Sequence, residues 1–152
     1  MKKRRIERDV IYQERINGTY LPIGHTIKIV DGDEPVITSK TEWLIGDKQS
    51  ETVSFKFSKQ GVQKVKELIA NAKYLFDKQP LKHVDNTETY AITDGTDQEY
   101  FFRFGEKEAI FSEYELRSEY AEEPRDTKAG ELLYIIDSIG KIIKDHGINP
   151  YL

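Results

Sequence analysis

Residues 26–38 read Thr-Ile-Lys-Ile-Val-Asp-Gly-Asp-Glu-Pro-Val-Ile-Thr, and this stretch has the pattern of a β-hairpin. Ile27 and Ile29 alternate with polar residues, as in a strand that buries one face. Asp31 to Pro35 supply a turn, because glycine tolerates positive φ and proline fixes its own φ. We therefore expect an antiparallel pair of strands here, and this pair sets the class of the sheet.

Further short apolar runs follow this hairpin and predict more strands. They lie at Thr41–Ile45, which carries Trp43, at Val53–Phe57, at Tyr90–Thr93, at Glu99–Phe104 and at Ala109–Phe111. Asp94-Gly95 favours a tight hairpin turn, since both residues readily adopt positive φ. Short turns between most of the strands exclude a doubly wound parallel sheet, whose crossovers need about a dozen residues or more.

Two segments have the three- and four-residue spacing of apolar side chains that indicates a helix. The first covers about 58–76 and begins at Ser58, whose hydroxyl can accept from a free amide of the first turn. The second covers about 127–146, where Thr127 is the expected cap and Gly147 suits the left-handed residue after the helix end. Pro150 prevents the second helix from continuing.

Together these patterns predict one α+β domain over residues 1–152, with a mainly antiparallel sheet of about six to seven strands and both helices packed on one face. Residues 1–10 are basic and predict a flexible terminus. The chain has no cysteine, which excludes disulfides and thiol chemistry. No apolar run reaches the ~20 residues of a membrane helix, so we expect a soluble, cytoplasmic protein unless a leader was removed.

The sequence contains no pattern typical of a catalytic or metal site. It lacks a Gly-x-Ser-x-Gly turn, a zinc-binding histidine pair, an EF-hand order of ligands and a glycine-rich phosphate loop. His25, His83 and His146 lie far apart in the chain. We therefore predict no catalytic residue, no metal and no cofactor. The net charge of −4 also argues against direct binding of nucleic acid.

One segment has a composition that folding alone does not explain, and we call residues 112–126 the acidic segment. It reads Ser-Glu-Tyr-Glu-Leu-Arg-Ser-Glu-Tyr-Ala-Glu-Glu-Pro-Arg-Asp, with six carboxylates against Arg117 and Arg125. A solvated loop before the last helix is one interpretation. The other is a surface that recognises a basic protein. The candidate binding residues are Glu113, Tyr114, Glu115, Glu119, Tyr120, Glu122 and Glu123.

The leading hypothesis is a non-enzymatic partner-binding protein of bacterial or phage origin, either an immunity protein against a toxin or an inhibitor of a host enzyme. An alternative is a small ligand-binding or envelope-associated domain with a pocket between sheet and helices, with Trp43 or His83 at its mouth. A third is an enzyme of unfamiliar type, built from dispersed His, Asp and Glu side chains that converge in a cleft.

Overall fold

The computed structural model describes residues 6–18, 24–43, 50–82 and 96–150, and they form an α+β fold with one six-stranded antiparallel sheet and three helices. The strands are β1 (Val10–Asn17), β2 (Gly24–Val30), β3 (Val36–Glu42), β4 (Glu51–Lys56), β5 (Asp97–Phe104) and β6 (Lys107–Tyr114). The helices are α1 (Lys59–Ala70), α2 (Leu116–Glu119) and α3 (Lys128–Asp145). The predicted fold class is confirmed.

The strand order is β4-β3-β2-β1-β5-β6, so that β4 and β6 form the two edges of the sheet. The predicted hairpin is present as β2 and β3, with Ile29 opposite Ile37. The central strand β1 pairs with β2 on one side and with β5 on the other. No strand was predicted before residue 26, although β1 joins the two halves of the sheet. The strand predicted at 90–93 lies outside the described residues.

The core lies between the sheet and the helices α1 and α3. Its fully buried side chains come from one face of the central strands and from the apolar stripes of both helices; they include Tyr12, Ile27, Ile29, Ile37, Val65, Ile69, Tyr100, Phe102, Leu132, Ile139 and Ile143. Burying aliphatic side chains of this kind stabilises a fold by about 1.5–3 kcal/mol each. The helices therefore hold the sheet from one face.

Both predicted helix caps are confirmed. The Ser58 hydroxyl accepts a hydrogen bond from the Gly61 amide at 2.9 Å, and the Thr127 hydroxyl accepts one from the Gly130 amide at 3.2 Å. α1 is shorter than the predicted 58–76. It ends at Ala70, and turns follow. The later apolar residues Ala72 and Phe76 nevertheless pack against the core from those turns.

The segment after α1 is fastened to the start of α3. The Glu131 carboxylate accepts hydrogen bonds from the Lys73 and Tyr74 amides at 2.7 and 2.8 Å. The Lys128 ammonium donates to the Asp77 carboxylate at 2.7 Å and to the Asp77 carbonyl at 2.9 Å. Residues 75–81 are thereby held beside edge strand β6, with which they line an open depression of about 330 Å³.

On the opposite face of the sheet, Arg103 holds the residues that precede β1. Its guanidinium donates to the carbonyls of Glu7, Arg8 and Val10 at 2.6, 2.8 and 2.8 Å, and it lies over the Phe101 ring at 4.9 Å. Val10 itself is fully buried. Of the basic terminus predicted over residues 1–10, residues 6–10 therefore contact the sheet, and residues 1–5 lie outside the described part.

Candidate functional site

The acidic segment runs from the end of edge strand β6 to the cap of α3. β6 continues to Tyr114, α2 occupies Leu116–Glu119, and turns lead from there to Thr127. Most of the segment is therefore strand, helix and hydrogen-bonded turn, rather than an irregular loop.

Two buried side chains anchor the segment to the core. Leu116 is fully buried, and Tyr120 is only 5% exposed. They are four residues apart and so lie on the same side of one helical turn. Before them, Glu115 adopts a left-handed φ of 51°, which costs a non-glycine residue ~1–2 kcal/mol. Hydrogen bonds offset that cost, because the Glu115 amide donates to the Thr96 carbonyl at 2.7 Å and its carboxylate accepts from the Thr96 amide.

Three carboxylates surround the hydroxyl of Tyr120. The hydroxyl donates to Glu113 Oε1 at 3.2 Å. Burial raises the pKa of Tyr120 above its usual range, and the Glu113 hydrogen bond and the charges of Glu119 and Glu123 raise it further. Tyr120 therefore stays a neutral donor at physiological pH, and it marks the point where the negative charge of the segment converges.

The two arginines of the segment both contact α3. The Arg117 guanidinium forms an ion pair with Asp137, and the Arg125 guanidinium lies 3.5 Å from the centre of the Tyr134 ring. Burial lowers the pKa of Arg117, but Asp137 and the nearby Tyr100 outweigh that effect and raise it overall. The cations thus fasten the segment to the helix and lie on the α3 side of it.

The structure places the predicted binding residues in three environments. Tyr114 and Glu122 are exposed, Tyr120 is buried, and Glu113, Glu115, Glu119 and Glu123 are half-buried. Along β6 successive side chains alternate between faces, so Tyr114 lies on the opposite face of the sheet from Glu113. Tyr114 shares that face with Ile110, and the two are 43% and 58% exposed. Glu113, Glu119 and Glu123 act on Tyr120, whereas the Glu115 carboxylate binds the Thr96 amide and Tyr114 lies on the other side of the same edge.

A buried polar cluster lies on the helix-covered face of the sheet, and the sequence did not reveal it. Glu14 is 3% exposed and accepts a hydrogen bond from the Tyr12 hydroxyl at 2.8 Å. It lies opposite Tyr100 of β5. The alternation of Tyr12, Glu14 and Ile16 would have placed all three on one face, but a strand glutamate is usually exposed, so nothing local marks this one as buried.

Tyr100 has the least satisfied polar group of this cluster. Its hydroxyl is buried and forms no hydrogen bond of good geometry among the described residues. Burial raises the pKa of Tyr100 to about 12, with a further contribution from the charge of Glu14, while Arg117 opposes the shift. The Arg117 amide also donates to Gln98 Oε1 at 2.9 Å, which ties α2 to β5. The buried polar cluster is therefore in contact with the acidic segment through Arg117.

The histidines of the described part serve as structural hydrogen-bonding groups. His25 Nε2 lies 2.8 Å from the Ser39 hydroxyl, which donates to the Pro150 carbonyl at 2.8 Å. Burial lowers the pKa of His25. His146 lies 3.1 Å from the Ser58 hydroxyl, between the end of α3 and the start of α1. His83 is outside the described residues.

Within the described ranges, no three His, Asp or Glu side chains are grouped closely enough to hold a metal ion. In the same part of the chain, no helix has both the length and the apolar character needed to cross a bilayer. Family models and curated proteins give no match to this sequence. The chemistry of the surface described above is therefore the basis for a functional proposal.

Proposed function

We propose that this protein is a non-enzymatic binding protein that presents the acidic segment to a basic protein. The observation that carries the proposal is the anchoring of the segment by Leu116 and Tyr120, which are 0% and 5% exposed. Folding requires only that these two side chains be buried. It does not require three carboxylates around the Tyr120 hydroxyl, since like charges at close range oppose one another.

Anchoring favours recognition because it reduces the entropy lost on binding. A flexible acidic loop would have to be ordered at about 0.5–1.5 kcal/mol for each immobilised side chain, whereas a fixed strand-helix-turn is ordered already. The convergent charge around Tyr120 would also accelerate encounters with a positively charged partner. The exposed Glu122 lies in the turn that follows Tyr120 and would be the first carboxylate to meet it.

The class of partner that fits is a basic enzyme, such as a nuclease toxin or another enzyme that acts on nucleic acid. Such enzymes carry lysine and arginine around the site that holds phosphates. An immunity-type protein or a phage-type inhibitor would cover that site with carboxylates, because a matched charge surface both speeds association and disfavours other partners.

The test is a charge reversal at Glu119, Glu122 and Glu123, each to Lys. The matched control reverses Asp33, Glu34 and Glu106, which are exposed residues in turns elsewhere and give the same change of net charge. Both variants and the wild type are immobilised and exposed to lysate of the native host. Captured proteins are identified by mass spectrometry, purified and measured for association rate at several salt concentrations.

We expect a basic protein that the wild type and the control retain and that the reversed variant loses, with an association rate at least ~10-fold slower at low salt. Equal affinity of all three proteins at low salt would overturn the proposal, as would equal damage from the control. If the triple variant unfolds, Glu122→Lys alone still tests the surface, because that side chain is exposed.

A pocket between sheet and helices is the second candidate function, and the buried Tyr100 hydroxyl favours it. The hydroxyl forms no hydrogen bond of good geometry, although the Arg117 guanidinium is close to it, and a polar ligand could satisfy it better. Native mass spectrometry of the protein as purified would then show a small molecule that Tyr100→Phe loses. A mass spectrum that shows no bound small molecule, together with a Tyr100→Phe variant at least as stable as the wild type, would count against this function.

A further inference from the structure

Strand β4 is an edge strand that the described part of the chain leaves almost uncovered. It pairs with β3 on one side, and five of its six residues are exposed, with Phe55 half-buried. Val53 is 48% exposed although its side chain is on the face that the helices cover elsewhere. Backbone groups and apolar side chains are thus both presented to solvent along this edge.

The register of β3 and β4 shows which backbone groups point outward. The Phe57 amide donates to the Pro35 carbonyl at 2.9 Å, which makes that pair a hydrogen-bonded one. Hydrogen-bonded pairs alternate in an antiparallel ladder, so Phe55 and Val53 direct their amides and carbonyls towards β3. The amides and carbonyls at positions 52, 54 and 56 therefore point away from the sheet.

Within residues 6–18, 24–43, 50–82 and 96–150, β4 also lacks the features that normally block an exposed edge. Proteins protect such strands with proline, bulges, central charges or covering segments. The middle of β4 is Thr52-Val53-Ser54-Phe55, its charges Glu51 and Lys56 lie at the ends, and its pairing with β3 has no register shift. The opposite edge, β6, is flanked by residues 75–81.

We propose that β4 pairs antiparallel with β4 of a second copy of this chain, so that the two six-stranded sheets become one continuous sheet. The two-fold axis would pass through the sheet at Ser54. In this register Ser54 lies opposite Ser54 of the second copy, Thr52 opposite Lys56, and Val53 opposite Phe55.

The second copy is the occupant because the strand is complementary to itself in this register. Positions 52, 54 and 56, which carry the outward amides and carbonyls, then face one another and complete the ladder. Each Val53 meets a Phe55 on the helix side, and cross-strand pairs of an aromatic with a β-branched residue stabilise a sheet. No charged residue of the strand lies directly opposite a like charge.

The strand order gives this dimer a particular geometry. β4 and β6 are the two ends of the sheet, so pairing through β4 would leave both β6 strands at the outer ends, roughly 50 Å apart at the usual strand spacing. Each acidic segment would stay accessible, and the dimer would present two of them. The dimer itself does not depend on the proposed function, since its evidence lies on β4.

A cysteine crosslink tests the register directly, because the chain has no cysteine. Opposed residues of a hydrogen-bonded pair have Cα atoms about 5.5 Å apart, within the range that a disulfide bridges. Ser54→Cys should therefore form a disulfide dimer at least ~10-fold faster than Ser112→Cys, which places a thiol at an exposed position of the other edge. Equal rates for the two variants would overturn the register.

Sedimentation velocity tests the dimer without any crosslink. The wild type should pass from monomer to dimer as its concentration rises, and Val53→Lys should weaken the dimer at least ~10-fold. Ser54→Pro should act likewise, because it removes an outward amide and no bond to β3. A wild type that stays monomeric to about 1 mM would overturn the proposal. So would a dimer that neither variant weakens.

Discussion

The two edge strands of the sheet, β4 and β6, differ in what lies beside them. At β6, Lys128 and Glu131 of α3 bind residues 73–79, residues 75–81 flank the strand, and the chain continues directly into the anchored acidic segment. At β4 no comparable contact is found among the described residues, and the strand stays open. One edge is therefore flanked by a segment that distant side chains of α3 hold in place, and in the described part of the chain the other edge is not.

Two glycines at the starts of helices also differ in what surrounds them. A Cβ on Gly130, at the start of α3, would lie 1.9 Å from the Pro124 carbonyl oxygen, which is backbone of the turn that ends the acidic segment. A Cβ on Gly61, at the start of α1, would lie 2.4 Å from the Phe57 ring. The Pro124 backbone cannot move away from an added Cβ without a change in the turn, whereas the Phe57 side chain can rotate.

The largest effect should come from Gly130→Ala. The added methyl group forces the turn at Pro124 away from α3, and overpacking of this kind costs about 3 kcal/mol. Chemical denaturation should show that loss of stability, and hydrogen exchange should speed up in the amides of residues 115–127.

Gly61→Ala is the matched comparison. It should cost less than Gly130→Ala, because the clash is with a side chain, the Phe57 ring, and not with backbone; the gain in helix propensity, about 1 kcal/mol, is the same at both positions. Equal losses from the two variants would show that the two helix starts are held equally rigidly, contrary to the structure.

An intermediate effect is expected from Lys128→Met. The Lys128 side chain is 12% exposed, and its loss removes a donor from the Asp77 carbonyl and from the Asp77 carboxylate, which keeps its hydrogen bond from the Gln79 amide. We expect a loss of about 1–2 kcal/mol, since hydrogen bonds to charged groups contribute more than neutral ones. Exchange of the amides of residues 73–79 should rise with no change at β4. Faster exchange at both edges would contradict a local role.

A smaller effect concerns pH. The hydrogen bond from Lys128 holds the pKa of Asp77 below its ordinary value of 3.8. Because the folded pKa is lower than the unfolded one, the unfolded chain binds protons first as the pH falls, and the contribution is lost below about pH 4. The stability gap between wild type and Lys128→Met should therefore narrow as pH falls through this window. A constant gap from pH 7 to pH 3 would rule out the ion pair as its source.

Local features of the fold could be predicted from the sequence. The caps at Ser58 and Thr127 act over three residues, and the left-handed Gly147, with φ of 74°, is a local conformation. β1 could not be predicted in the same way, because it is stabilised by pairing with β5, which is distant in the chain. Glu14 was missed for a related reason, since its burial is decided by what covers the sheet.

The composition of the candidate site could be predicted from the sequence, but its geometry could not. The residue types of the acidic segment were identified, whereas α2 is only four residues long and too short to show a helical period. The burial of Tyr120 and the contacts of Arg117 and Arg125 with α3 therefore had no signal in the sequence. Charge density can be read from a sequence, but which side chains face solvent depends on tertiary contacts.

The smallest effect should come from Val53→Thr, and it separates edge strand β4 from edge strand β6, which residues 75–81 flank. Val53 is 48% exposed, so this near-isosteric change should alter the stability of the monomer by no more than ~0.5 kcal/mol. Ile110→Thr on β6 is the counterpart, at a residue that is 58% exposed.

At concentrations where β4 pairs with β4, the wild type gains stability by mass action and Val53→Thr gains less, because threonine packs less well against Phe55 of the second copy. Ile110→Thr should follow the wild type at every concentration. The unfolding midpoints of the three proteins, measured across a range of concentrations, check this difference, and curves that stay parallel for both variants would show that β4 is no more open to a partner than β6.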